Sequence, residues 1–206
     1  MRAGKDRYLM TEKITLIGCG MFQEDAQRIL SEEGLDLELD WLEVGLHDNI
    51  ERLEETLDQA LAGCGGRAGL LYGHGCIPEM KAFARERGVP VLSAKNCLAA
   101  LVGDVELKEL EQNRTLVATP GWVRKMWLGR VGTPTGWTAD DYRIQFGRYD
   151  LILVLDPGLE PLTDEEIITC YDLVEVPIET RPVSLDHFRR LFLELVASAP
   201  ENAKNH

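Results

Sequence analysis

Lys13-Ile14-Thr15-Leu16-Ile17-Gly18-Cys19-Gly20 is a short β-branched run that stops at a glycine–cysteine–glycine turn. β-Branched side chains suit a buried pleated surface, and a run of this length bounded by glycine reads as a strand. Met21, Ala26, Ile29 and Leu30 follow at helical spacing, with Gly34 placed to end the helix. Strand, glycine turn and helix make one βα unit, and the same pattern recurs along the chain. Leu35 to Val44 alternates apolar and acidic residues as a half-exposed strand does, and Asp48 is placed to cap a helix carrying Leu53, Leu57 and Leu61 to Gly63. Ala68 to Tyr72 is a second buried strand, and Pro78 suits the first turn of a helix reaching Arg87. Val89 to Ser93, Thr115 to Ala118, Leu151 to Leu155 and Val174 to Ile178 read as further strands. Asn96, Thr163 and Ser184 are expected to cap the intervening helices, the last running to about Ala197.

Strands alternating with helices are the mark of a parallel sheet covered on both faces. The expected fold is therefore α/β, a single doubly wound, mostly parallel sheet with helices on both faces. One domain is expected over residues 13–198, with an N-terminal extension over 1–12 and a tail over 199–206. The glycine- and proline-bearing stretch 127–146 reads as a lid or an insertion.

The 206 residues carry 22 basic and 35 acidic side chains, a formal net charge of -13. Binding to a nucleic-acid backbone rests on a net basic face, so a nucleic-acid partner is not expected. The same sign argues against an anionic membrane surface, and no apolar run approaches the roughly 20 residues of a membrane-crossing helix. Residues 1–11 have no apolar signal core, which leads to an expected cytoplasmic location.

Five cysteines, Cys19, Cys64, Cys76, Cys97 and Cys170, are an odd number and form no CxxC pair. Cytosolic thiols are kept reduced, so a disulfide framework is not expected. Ligands of an open α/β sheet bind outside the carboxyl ends of its strands. Cys19, Cys76 and Cys97 each follow a strand, and parallel strands deliver all three to the same edge. Cys64 precedes a strand at the opposite edge, and Cys170 sits in an amphipathic helix as a small apolar residue would.

Thiolates repel one another, so three of them gathered in an acidic protein call for a cation. Zinc takes three-cysteine sets and becomes catalytic when its fourth position is open. A [4Fe–4S] cluster on three cysteines likewise leaves one iron free, although four-cysteine ligation is the norm. His74, two residues before Cys76, is a candidate fourth ligand or a group supporting the ligands. Trp122, in Thr119-Pro120-Gly121-Trp122, offers an indole on which a planar ligand can stack, and Asn96 stands beside Cys97 as a second cofactor-contacting candidate. Asp156, at the end of a strand, is a candidate base or orienting carboxylate, with His74 as its catalytic companion. Each has a plainer reading: a small buried hydrophobe for any one cysteine, a solvated loop for His74, core packing for Trp122, and an Asx turn before Pro157 for Asp156. Arg124, Lys125 and Arg130 are suited to an anionic ligand or, more simply, to a solvated helix face. Gly18-Cys19-Gly20 lacks the third glycine of a dinucleotide fingerprint, and the phosphate-binding P-loop pattern is absent.

At Gly18-Cys19, Gly75-Cys76-Ile77-Pro78-Glu79-Met80, Lys95-Asn96-Cys97 and Thr119-Pro120-Gly121-Trp122 the chain resembles a bacterial and archaeal domain family of unknown function. Members of that family often neighbour corrinoid-dependent methyltransferases, including those for methylamines. The resemblance spans about Lys13 to Leu195 and matches Cys19, Cys76 and Cys97 to family cysteines. Ile77 stands where many relatives carry His, which leaves a histidine ligand missing or supplied by His74. The resemblance implies a three-cysteine site and a methyl-transfer or corrinoid setting.

Three functions remain open on the sequence. The leading one is an iron–sulfur or zinc centre on Cys19, Cys76 and Cys97, with an open position for a small-molecule substrate and a role as a metal-dependent methyl- or group-transfer enzyme or lyase. The second is a non-catalytic accessory protein that binds a corrinoid, a corrinoid protein or another planar cofactor. The third is a metal-free enzyme using Cys97 or Cys76 as nucleophile, which requires a neighbouring base such as His74.

Overall fold

The computed structural model describes residues 13–131, 133 and 136–199. The expected extension 1–12 and all but the first residue of the expected tail lie outside the described residues. Among the described residues seven parallel strands alternate with helices, so the α/β class and its parallel strand order hold. The strands are divided between two sheets, one ordered β2-β1-β3-β4 and the other β5-β6-β7.

The first sheet is built from β1 (Thr15–Cys19), β2 (Glu38–Leu42), β3 (Ala68–Gly73) and β4 (Val91–Leu92). β3 is buried along its whole length, as a central parallel strand must be, whereas the edge strand β2 alternates. Helices α1 (Gln23–Glu33), α2 (Ile50–Gly63), α3 (Met80–Glu86), α4 (Cys97–Val102) and α5 (Asp104–Leu110) follow these strands. Gly34 ends α1 in the left-handed conformation expected of a C-cap glycine (φ 63°).

The second sheet holds β5 (Thr115–Ala118), β6 (Leu151–Asp156) and β7 (Ile178–Pro182). Its helices are α6 (Pro120–Trp122), which runs on as a π-helical stretch over Val123–Leu128, then α7 (Ala139–Phe146) and α8 (Asp164–Val174). The closing helix α9 (Asp186–Ser198) returns to the first sheet, packing on β3, β4 and α4. Phe188 and Phe192 of α9 are fully buried there, and Phe22 stacks on Phe188 with ring centres 5.1 Å apart.

Each sheet has its own apolar core. Leu16, Ile17, Leu53, Leu57, Leu70 and Leu71 belong to the first, and Val123, Trp127, Ile152, Val154 and Cys170 to the second. Val117 of β5 and Leu155 of β6 reach into the first core, so the two layers meet along one side of the second sheet. Stretch 127–146 contributes Trp127, Tyr142 and Phe146 to the second core.

Several expected boundaries move, each for a local reason. The last strand is not Val174 to Ile178 but Ile178–Pro182. α8 continues to Val174 and is closed by Glu175 in the left-handed region (φ 56°), whose N–H donates to the Tyr171 carbonyl at 2.7 Å. Pro177 then prevents any further helix. The cap of α2 is Asn49, which accepts from the Arg52 N–H at 3.0 Å, while Asp48 closes a 3-10 turn over Leu46–Asp48. α3 begins at Met80, two residues past Pro78, and α5 is an additional helix that the spacing did not announce. Thr163 caps α8 as expected, in a reciprocal capping box with Glu166.

Candidate functional site

Parallel strands deliver their carboxyl ends to one edge, and a cavity of 270 Å³ opens there between the two sheets. Every strand of the first sheet contributes to its wall through the residues that follow it. Cys19, Met21 and Phe22 come from the end of β1 and the turn beyond, Val44 and His47 from the segment after β2, and Gly75 and Cys76 from the segment after β3. Asn96, Cys97 and Leu98 come from the start of α4, and Val117, Ala118 and Trp122 close the cavity from the second sheet.

The convergence of Cys76 and Cys97 follows from two glycines. A Cβ on Gly73 would stand against the Lys95 carbonyl oxygen and 2.6 Å from the Asn96 Cα, and one on Gly75 would stand 2.8 Å from the same oxygen. Only glycine at both places lets the segment after β3 lie against the segment after β4. The two segments are then stitched by backbone bonds from His74 N–H to Ala94 O and from Gly75 N–H to Lys95 O, both 2.8 Å. Asn96 turns its side chain to accept from the Ala99 N–H at 2.9 Å, which starts α4 and sets Cys97 as its first residue. Asn96 is thus both a helix cap and a wall of the cavity.

All three thiols are held protonated in the absence of a cation. Burial pushes Cys19 up. Cys76 is pushed up to about 11 by burial and then by the charge that Cys19 would carry. Burial, with Cys19 and Cys76 behind it, pushes Cys97 up to about 12. Opposing these effects are backbone hydrogen bonding at Met21 and the charge of Lys125 for Cys19, and backbone bonding at Leu98 and Cys97 for Cys97. The thiols therefore interact electrostatically as a group. Among the described residues, no three or more His, Cys, Asp or Glu side chains stand as a ready ligand set for a single metal ion.

The remaining sequence candidates separate. Trp122 lines the cavity with the thiols. His74 is outside its lining, and the histidine that does line it is His47, whose Nε2 lies 3.6 Å from an Asp48 carboxylate oxygen. Spacing gave no hint of His47, because it follows the edge strand β2 by five residues and approaches only through the turn over Leu46–Asp48. Asp156 is also outside the cavity lining, and its Oδ1 accepts from the Gly158 N–H at 2.8 Å, forming the Asx turn that was its plainer reading. Cys64 donates to the Ala60 carbonyl at 3.3 Å on the far side of the sheet, and Cys170 is fully buried in the second core. The three basic residues divide as well. Arg124 is committed to Glu166 (2.5 and 2.8 Å) and to the carbonyls of Glu160 and Pro161. Lys125 bridges the two sheets through the Gly20 carbonyl (2.9 Å) and Glu24 (3.3 Å). Arg130 donates to the Val44 carbonyl at 3.2 Å.

Tyr72 is a feature that the sequence reading missed. It is 1% exposed, and its hydroxyl has no hydrogen-bond partner among the described residues. Its proton is held well above the ordinary phenol range by burial first, and then by the nearby charges of Cys19 and Cys76.

Among solved structures the chain is similar to unliganded arylmalonate decarboxylase, at 16% identity and a TM-score of 0.36, covering 94% of this chain and 96% of that one. A LacI family transcriptional regulator from Silicibacter pomeroyi is similar at 14% identity and a TM-score of 0.36, over 89% and 93% of the two chains. Shikimate dehydrogenase in complex with NADP+ is similar at 13% identity and a TM-score of 0.25, over 82% and 61%. No curated protein matches the chain. The family model described as "Protein of unknown function (DUF1638)" matches residues 41–192, a span that holds Cys76, Cys97 and Trp122 and begins after Cys19. The chain belongs to the DUF1638 family.

Proposed function

We propose that Cys19, Cys76 and Cys97 hold a metal centre with one coordination position open to a small-molecule substrate. The observation that carries this reading is that all three thiols line one cavity at the carboxyl edge of the sheet, together with Trp122. The donor chemistry supports it. Cys19 raises the proton affinity of Cys76, and both raise that of Cys97, so the three together are stable as thiolates only when a cation neutralises them. Tyr72 adds an unpartnered buried hydroxyl beside Cys19 and Cys76, a donor that ionised sulfur would satisfy.

A [4Fe–4S] cluster fits this setting better than a single zinc. The three proposed ligands that share the cavity are all sulfur, with His74 outside its lining, and iron–sulfur clusters are held by cysteine thiolates. A polynuclear cluster spans more space and suits thiols that ring a cavity. When bound, such a centre supplies a Lewis-acid position that polarises a thiol, carboxylate or similar group of the substrate. The chain's own part is to give up the three thiol protons on loading, to wall the cavity with Met21, Phe22, Val44 and Leu98, and to set the Trp122 indole beside the incoming ligand. The family resemblance supports a methyl-transfer or corrinoid setting for this chemistry, with a corrinoid protein as candidate partner.

A metal-free cysteine nucleophile is the less favoured reading. Nucleophilic cysteines have lowered proton affinity, whereas Cys76 and Cys97 are pushed up to about 11 and about 12.

The test is single replacement of Cys19, Cys76 and Cys97 by Ser, with Cys64→Ser as control, followed by metal content after anaerobic purification. Loss in the first three and retention in the control is expected. Equal retention in all four, or equal loss in the control, overturns the assignment.

A further inference from the structure

Trp122 has a second cavity on another side. This one has a volume of 310 Å³ and is lined, among the described residues, by Trp122, Trp127, Trp137, Tyr142 and Phe146 with Arg130 and Asp48 at its polar end. We propose that it is a binding site for a small planar aromatic carboxylate, a function separate from the thiol centre and independent of that reading.

The rings form a packed aromatic cluster along the cavity, with Trp127 and Phe146 also 4.6 Å apart. Trp122 and Trp127 meet edge to face, 4.9 Å apart at 68°, and Trp137 meets Tyr142 at 5.4 Å and 66°. Trp137 and Phe146 are tilted by 40° at 6.0 Å. Such arrangements satisfy the ring quadrupoles, and all five rings border the cavity. Trp127 and Tyr142 are buried in the second core, but Trp137 remains 46% exposed. An indole left this open over a cavity is the face that a flat apolar ligand covers. The volume falls at the lower end of the range for small-molecule sites, about 300–1,000 Å³.

Arg130 decides the charge of that ligand. Its Nη2 donates to the Val44 carbonyl at 3.2 Å, and its Nη1 lies 4.0 Å from Asp48 Oδ2, beyond hydrogen-bond distance. Asp48 is shared with His47 at 3.6 Å. The guanidinium fork therefore keeps donors for a carboxylate, which it engages in paired hydrogen bonds. A quaternary ammonium would meet aromatic faces but also the Arg130 charge. A carboxylate on Arg130 with its ring among the indoles satisfies both ends of the cavity.

The test is isothermal titration calorimetry on the full chain with indole-3-acetate, indole-3-acetamide and tetramethylammonium. Expected is saturable one-to-one binding of indole-3-acetate, with the amide about tenfold weaker or more. Arg130→Met removes the preference for the acid, and Trp137→Ala weakens acid and amide together by about threefold or more. Arg130→Lys keeps the charge and loses the fork, so it gives an intermediate preference should the Met variant fail to fold. No saturation by the acid at millimolar concentration, equal affinity for acid and amide, or preference for tetramethylammonium each overturns the proposal.

Discussion

Cys19 and Tyr72 stand side by side on neighbouring parallel strands, each immediately following one member of the register pair Gly18 and Leu71. Parallel neighbours in register present their side chains to the same face of the sheet. The Tyr72 phenol is thus packed beside Cys19 with its hydroxyl buried and unpartnered among the described residues. A buried hydroxyl without a partner costs about 1–3 kcal/mol. Tyr72→Phe is accordingly expected to leave the metal-free protein as stable as before or to stabilise it by about 1 kcal/mol. Thermal unfolding checks this, and a loss of about 2 kcal/mol or more would show that the hydroxyl has a partner after all.

Gly73→Ala should separate the segments after β3 and β4. The new Cβ would meet the Lys95 carbonyl and the Asn96 Cα, both backbone atoms that cannot swing aside. Overpacking of this kind costs about 1–3 kcal/mol. The variant is expected to unfold at lower denaturant and to bind less metal, because Cys76 and Cys97 are carried apart. Unchanged midpoint and unchanged metal content would contradict the role given to this glycine.

The thiols set an alkaline limit on the metal-free protein. Their folded-state values lie above the ordinary 9.0, at about 11 for Cys76 and about 12 for Cys97 and Cys170. Above pH 9.0 the unfolded chain releases thiol protons that the native state retains, so stability is fully present below that pH and falls as pH rises toward 11. Each thiol contributes at most about 1.4 kcal/mol per pH unit in this window. Urea unfolding at a series of alkaline pH values measures the slope. Replacing Cys97 by Ser should flatten it, and an unaltered slope would mean that this thiol is not buried as a protonated group.

Asp25 gives the same direction of dependence, but near neutrality. Burial and the neighbouring Glu24 push its carboxyl up to about 7, with Lys125 opposing them. Its folded value lies above the unfolded 3.8, so its contribution is present below 3.8 and is lost as pH rises through about 7. Asp25→Asn removes the buried negative charge and is expected to raise stability at pH 8 by about 1–3 kcal/mol, while changing little at pH 4. Equal effects at both pH values would contradict the burial argument.

Arg124 and Glu166 should behave as a structural pair. Two hydrogen bonds join them, and the guanidinium holds the Glu166 carboxyl down to about 2. A depressed carboxylate contributes stability above the ordinary 4.5 and loses it as pH falls toward 2. Arg124→Ala is expected to cost about 1–3 kcal/mol at pH 7 and less in acid, as read by denaturant titration. A pH-independent cost would show that lost packing, not the pair, is responsible.

Much of the scaffold was legible because its signals are local. The Lys13 to Gly20 run, the fully apolar β3 and the caps at Gly34, Asn96 and Thr163 each declare themselves within a few residues. The parallel order then places Cys19, Cys76 and Cys97 at one edge, which is why their shared cavity could be anticipated. The division into two sheets was not legible, since no single segment encodes which strands fail to pair. His47 was missed because its approach depends on a turn and on a neighbouring strand rather than on spacing to any cysteine. His74 drew notice through its nearness to Cys76 in sequence, yet its backbone is tied to Ala94 and its side chain lies outside the cavity lining. The Asp156 turn and the late start of β7 show local hydrogen bonding and Pro177 prevailing over apolar pattern.

The central claim is tested most directly by anaerobic purification of the full chain, with iron, acid-labile sulfide and zinc determined together with the visible absorption spectrum. About four irons and four sulfides per chain, with sulfur-to-iron absorption that vanishes on oxidation, is the outcome predicted for a three-cysteine cluster. Negligible iron, sulfide and zinc in protein that is folded and has all three thiols free to alkylation would contradict it.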